Sequence, residues 1–179
     1  MLDWLRRRRN APVEIMADVE IGGSLRDLFA AIDPASPDNR YVRCGQRLEP
    51  DTTDPDRFSL SDPRLPGHPV LLTVTERQPG RGLTIRSDFP EGQDVGALRR
   101  SMTAYGVEMR GEERCRVMAA FIFELFPLTG REREQEVGLL QFAVHDDLAR
   151  LKALIEEGPE AAASAGALDG LFRSFEGAA

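Results

Sequence analysis

The chain is short of several things, and each shortage removes a class of protein. Two cysteines, Cys44 and Cys115, stand far apart in 179 residues with no metal-ligand spacing around either. Free buried thiols are expected over a disulfide, which fits a reducing, cytoplasmic setting. Neither has a histidine near it in sequence to make a thiolate nucleophile. No apolar run approaches the roughly 18–20 residues of a membrane span. The opening MLDWLRRRRN is basic but has no apolar core of a signal peptide, so secretion is not expected.

Histidine is as scarce: His68, expected in a loop at one end of a sheet, and His145. No His/Cys/Asp cluster has zinc spacing, no glycine-rich loop matches a phosphate cradle, and no serine stands in a nucleophile elbow. Gly80-Arg81-Gly82 reads as a turn. No metal and no cofactor are expected. Basic residues are outnumbered 23 to 30 by acidic ones, for a formal net charge of −7. A general nucleic-acid binder needs the opposite surplus, so none is expected as a partner. Lys152 is the one lysine among the basic residues. Such an arginine bias accompanies high-GC genomes and points to a bacterium.

What is present is the composition of one soluble domain, 41% hydrophobic and 30% charged, long enough for a core. The clearest element is a long helix from Thr129 to Gly158. Thr129 and Glu132 have capping-box spacing, acidic residues follow at the positive end of the dipole, and Gly158-Pro159 stops it. Val137, Leu140, Val144, Leu148, Leu151 and Ile155 fall on one stripe, which requires a broad apolar floor. Leu139 and Phe142 point away from that stripe.

Upstream, Val13 to Ile21 alternates as a half-buried strand, and Ser24 caps a short helix that Pro34 ends. The PASPDNR stretch that follows is a helical turn or a loop. Tyr41 to Leu48 is expected as a strand with Val42, Cys44 and Leu48 facing inward, and Arg57 to Ser61 as a brief one. Val70–Glu76 and Arg81–Phe89 flank the turn Gln78-Pro79-Gly80 as a hairpin. Leu98–Arg110 and Arg114–Phe126 form a second, longer one, antiparallel because the connection is so short. Strands in a run with helices segregated at the ends indicate α+β.

The strand VEIMADVEIGGSLRDLFAAID, the hairpin VLLTVTERQPGRGLTI and the ending HDDLARLKALIEEG together resemble the START-like (SRPBCC) superfamily over roughly residues 12–158. The branch is that of polyketide cyclases and lipid-transfer proteins. The resemblance implies a helix-grip fold, with a curved sheet of about seven strands around the terminal helix and an elongated apolar cavity between them. Some members of the superfamily bind lipids, polyketides or hormones there, some catalyse cyclisation or dehydration, and some act through protein contacts.

On the alternation, Thr103, Tyr105, Met109, Val117, Phe121 and Phe123 face the helix from the long hairpin, joined by Leu83 and Ile85. Val144 and Leu148 on the stripe, with Gln141 at its flank, complete the expected ligand-binding set. Apolar walls with few polar groups describe a small-molecule site, and equally a filled core. Tyr105 is the first polar candidate, because a buried phenol must pair with a backbone carbonyl, a ligand or another group. His145 is the second, as a general base or as a partly exposed helix histidine beside Asp146 and Asp147.

Three functions follow. The first is binding or transport of an apolar small molecule, and the second is a cyclase or dehydratase using Tyr105 or His145. The third is an interaction module working through the chain ends. Residues 1–11 form a basic N-terminal segment in which Trp4 and Arg6, Arg7, Arg8 and Arg9 suit weak contact with anionic lipid or an acidic partner. Residues 159–179 are expected to be a small-residue linker and a short amphipathic piece (Leu168, Leu171, Phe172, Phe175) that docks on the long helix, makes a homodimer contact or closes a cavity mouth.

Overall fold

The computed structural model describes residues 11–62, 69–89 and 97–165. Trp4, Arg6–Arg9, His68 and the amphipathic positions Leu168, Leu171, Phe172 and Phe175 lie outside them.

The alternating stretches become seven strands: β1 (Val13–Gly22), β2 (Arg47–Pro50), β3 (Arg57–Ser61), β4 (Val70–Gln78), β5 (Gly82–Asp88), β6 (Leu98–Gly111) and β7 (Arg114–Leu125). They form one antiparallel sheet in the order β1-β7-β6-β5-β4-β3-β2. Chain neighbours from β2 to β7 pair directly because their connections are short, whereas β1 crosses over to lie beside β7. Register then fixes the faces. Ile15 is paired with Phe121, Phe121 with Thr103, and Thr103 with Ile85, while Ala119 lies opposite Tyr105 and Tyr105 opposite Leu83. With a side-chain period of two, these rows share one side of the sheet.

Among the described residues four helices accompany the sheet: α1 (Leu25–Ile32), α2 (Arg40–Arg43), α3 (Gly130–Glu156) and α4 (Pro159–Ala165). The start of α3 is the expected capping box. The Thr129 hydroxyl accepts from the Glu132 N–H, and the Glu132 carboxylate accepts from the Thr129 N–H at 2.8 Å. Gly158 follows the C-cap at φ 106°, a left-handed conformation that suits glycine. The buried stripe of α3 comprises Leu140, Val144, Leu148 and Leu151, with Leu154 added and Val137 and Ile155 half-buried at its edges. It packs against the inner residues of the sheet in one continuous core. The result is α+β, a curved seven-stranded antiparallel sheet with the long helix in its grip.

Two expectations are corrected. The strand proposed for Tyr41–Leu48 begins only at Arg47, and Arg40–Arg43 is the single helical turn α2. Asn39 sets it, since its buried side chain accepts from the Tyr41 N–H at 2.9 Å and donates to the Ala31 carbonyl at 3.3 Å. Val42 is consequently exposed, whereas Cys44 caps the turn half-buried and packs against the core, though not as a strand residue. The linker expected after Pro159 is also helical as far as Ala165, with Ala162 buried. Proline is well suited to that first turn because its missing N–H would have had no partner there.

Candidate functional site

Helix α2 carries a charge into the space between sheet and α3. The Arg40 side chain is only 12% exposed. Its Nη1 donates to Asp147 Oδ2 of α3 at 2.9 Å, and its Nη2 donates to the Tyr105 hydroxyl of β6 at 2.9 Å and the Tyr41 hydroxyl at 3.1 Å. Tyr105 in turn points its hydroxyl at Asp147 Oδ2, 3.4 Å away. The guanidinium also lies 4.9 Å from the centre of the Tyr41 ring and 5.7 Å from that of Tyr105, within cation–π range. Arg43, one turn on, donates to the Leu154 carbonyl at 3.3 Å. Polar contacts thus hold α2 against α3, and the turn buries no apolar side chain.

Around this cluster the walls are apolar and aromatic. Phe121 meets Tyr105 edge-on with ring centres 6.4 Å apart, and Phe123 stacks on Phe121 at 6.0 Å. Leu83, Ile85, Val117, Val144 and Leu148 are buried and Thr103 half-buried on the same side. The apolar ones belong to one continuous buried core. Open hollows among the described residues include one of about 520 Å³ where Leu25 and Phe29 of α1 face the Pro79-Gly80 turn and one of about 380 Å³ on the outer face of the sheet.

Burial shapes the electrostatics. Desolvation pushes the Tyr105 hydroxyl well above the ordinary tyrosine range; Arg40 pulls the other way and the Asp147 carboxylate adds to the rise. For Arg40 desolvation works against the charge, but Asp147 and then the phenols of Tyr105 and Tyr41 outweigh it, holding the guanidinium well above its usual value. Tyr105 therefore stays a hydrogen-bond donor and Arg40 a cation across the whole working pH range. Such a pair can orient and polarise a carbonyl, or hold an anionic group, without titrating. Desolvation also raises the Cys115 thiol, which keeps it protonated.

Of the residues expected at the site, the structure gathers Leu83, Ile85, Thr103, Tyr105, Val117, Phe121, Phe123, Val144 and Leu148 on the interior. Three are not brought there. Met109 is 43% exposed near the end of the long hairpin, with its sulfur 3.4 Å from that of Cys115. Gln141 and His145 are exposed, His145 lying some 60–100° around α3 from the buried Val144 and Leu148, and Gln141 about 100° from the buried Leu140. Arg40, Tyr41 and Asp147 were not signalled by the sequence. The clue that could have found them is the buried phenol of Tyr105, which requires a partner. Among the described residues no group of three or more His, Cys, Asp or Glu side chains could hold a metal, and no helix is long and apolar enough to cross a membrane.

No protein-family model and no curated protein matches the chain. Solved structures do. A protein of Bacillus thuringiensis superimposes with a TM-score of 0.61 at 13% identity, over 80% of this chain and 98% of that one. Norcoclaurine synthase from Thalictrum flavum gives 0.58 at 13% identity, over 83% and 96%. StfQ, a di-domain ARO/CYC of the steffimycin biosynthetic pathway, gives 0.60 at 16%, with 86% of this chain spanning about half (53%) of StfQ. At such identities the likeness carries architecture and no particular activity. The chain shares the helix-grip fold of these structures, a curved antiparallel sheet around a long C-terminal helix.

Proposed function

We propose that the chain binds an apolar small molecule between the sheet and α3, with Arg40 and Tyr105 receiving an oxygen-bearing end of it. The observation that carries this reading is the buried cation. An interior that served stability alone would be filled as well or better by apolar groups, because desolvating an ion pair costs about what its attraction returns. A polar cluster kept in an aromatic-walled interior is the usual mark of a site. Entry falls to α2, the one-turn element fastened by hydrogen bonds and the Arg40–Asp147 ion pair and by no buried apolar side chain of its own. As it moves, Arg40 exchanges its contacts with Tyr41 and Tyr105 for the oxygen-bearing end of the guest. The names of the similar structures, a synthase and an ARO/CYC, fit small-molecule chemistry on this fold. The free thiols suit a cytoplasmic setting.

Native mass spectrometry of the purified chain against fatty acids, aromatic ketones and plain hydrocarbons tests the proposal. It predicts saturable one-to-one adducts with the first two classes. Arg40→Met should weaken those about tenfold or more, roughly 1.4 kcal/mol, and leave the hydrocarbons unaffected. No adduct with any class would refute it.

A second reading, a cyclase- or dehydratase-like enzyme, rests on the same Arg40–Tyr105 pair, because an un-ionised phenol beside a guanidinium can polarise a ketone. It predicts turnover of a polyketone that Tyr105→Phe lowers by two orders of magnitude or more while binding persists. Exposed His145 is not needed, so His145→Ala leaves the rate unchanged.

A further inference from the structure

The outer face of the sheet carries a feature that the interior site does not use. Cross-strand rows there read Met16, Ala120 and Ala104, and beside them Asp18, Met118 and Gly106. The small residues make the floor of the 380 Å³ hollow, and Met16 and Met118 form its walls. Met16 is 82% exposed and Met118 42%, with Met102 and Ile122 continuing the apolar surface. Large apolar groups gathered on one face mark a contact surface, and methionine adapts its shape to an aromatic guest. The rim is acidic. Glu14, Asp18 and Glu20 project from β1 beside the hollow, and its one basic lining residue, Arg116, is already bound to Asp18 at 3.0 Å.

We propose that this hollow is the docking site of the chain's own segment Leu2–Arg9, with Trp4 between the methionines and the arginines along the β1 carboxylates. Three observations select this occupant. The segment joins the sheet at β1, the strand that supplies both Met16 and the acidic rim. Arg133 fixes the point of departure by donating to the Ala11 carbonyl. From there Trp4 is seven residues away, a reach of up to about 24 Å, while Met16 lies five residues along β1, about 17 Å, so a segment that turns back covers the distance. Its chemistry is complementary, because Trp4 and Leu5 suit the hollow and four consecutive arginines suit three carboxylates. A second copy of the same face is disfavoured, since it would set the β1 carboxylates against one another.

Trp4 is the single tryptophan of the chain, so its emission reports on its own surroundings. In the full-length protein the emission should be blue-shifted, and acrylamide should quench it several-fold less than it quenches free N-acetyltryptophanamide. Ala120→Arg, which fills the hollow, and Met16→Asp, at a position exposed enough to tolerate it, should each restore the quenching of the free indole with circular dichroism unchanged. About 1 M salt, where the Debye length is about 3 Å, should loosen the contact in part. A tryptophan that is freely quenched in the wild-type chain would overturn the proposal. So would a blue shift insensitive to both variants, one that needs anionic vesicles, or one that grows with protein concentration as a dimer forms in light scattering.

Discussion

Arg40 is a permanent cation in a place where water is largely excluded, and its neighbours are arranged to make that tolerable. Asp147 supplies the counter-charge and two phenols take the remaining fork of donors. The two ways of dismantling the pair should then differ. Asp147→Asn leaves a buried guanidinium without its anion and should cost about 1–2 kcal/mol in urea unfolding, below the 3–5 kcal/mol of a fully buried pair because the Asp147 side chain is 35% exposed. Arg40→Met removes the charge itself and should cost less than Asp147→Asn. Tyr105 adds a dependence on alkaline pH. Its folded pKa lies above the ordinary 10.0, so the folded state keeps the proton that the unfolded state loses. Stability from this group is complete below pH 10 and falls above it, at up to about 1.4 kcal/mol per pH unit. In Tyr105→Phe that alkaline slope should flatten. At this scale the sequence was half legible. An aromatic alcohol at an inward register position announces itself, whereas an arginine reads as a solvated charge until its partner, 107 residues away, is brought up by the fold.

Elements were legible where local chemistry and packing agree. The long helix shows its capping box, its stripe and its glycine–proline stop in sequence, and the structure uses all three. Thr129→Ala should cost about 1 kcal/mol, measured as a lower urea midpoint. The other end of α3 is clasped to β1, where the Gly22 N–H donates to Glu156 Oε1 at 2.6 Å and Lys152 donates to the Glu20 carbonyl at 3.0 Å. Gly23 sits in that clasp at φ 147°, and a Cβ there would come within 2.7 Å of Ile155 Cγ2. Gly23→Ala should therefore cost about 1–3 kcal/mol, again read from the urea midpoint. The helical turn α2 was misread as a strand because Val42, Cys44 and Leu48 alternate as strand residues do. The decisive signal was Asn39, whose cap is made with its own side chain and whose burial depends on α1 being already in place.

For the whole molecule, strand alternation and short turns specify an antiparallel sheet. One long amphipathic helix then has one broad apolar surface to cover, so the α+β class followed from pattern, while the seven-stranded helix-grip arrangement was implied by the family resemblance. Whether that interior admits a guest does not follow from pattern, because it depends on how side chains share a volume. Here Arg40, Tyr105 and the phenylalanines share it, and on the proposed binding mode α2 is the part that yields. Ligand binding should accordingly raise the melting temperature with ligand concentration, by mass action. The most direct test of the account is amide-resolved NMR of the full chain titrated with a fatty acid. The account predicts saturable shifts concentrated at Arg40–Arg43, Tyr105, Phe121, Val144 and Asp147. Shifts confined to the outer face around Met16 and Met118, or none that saturate, would contradict it.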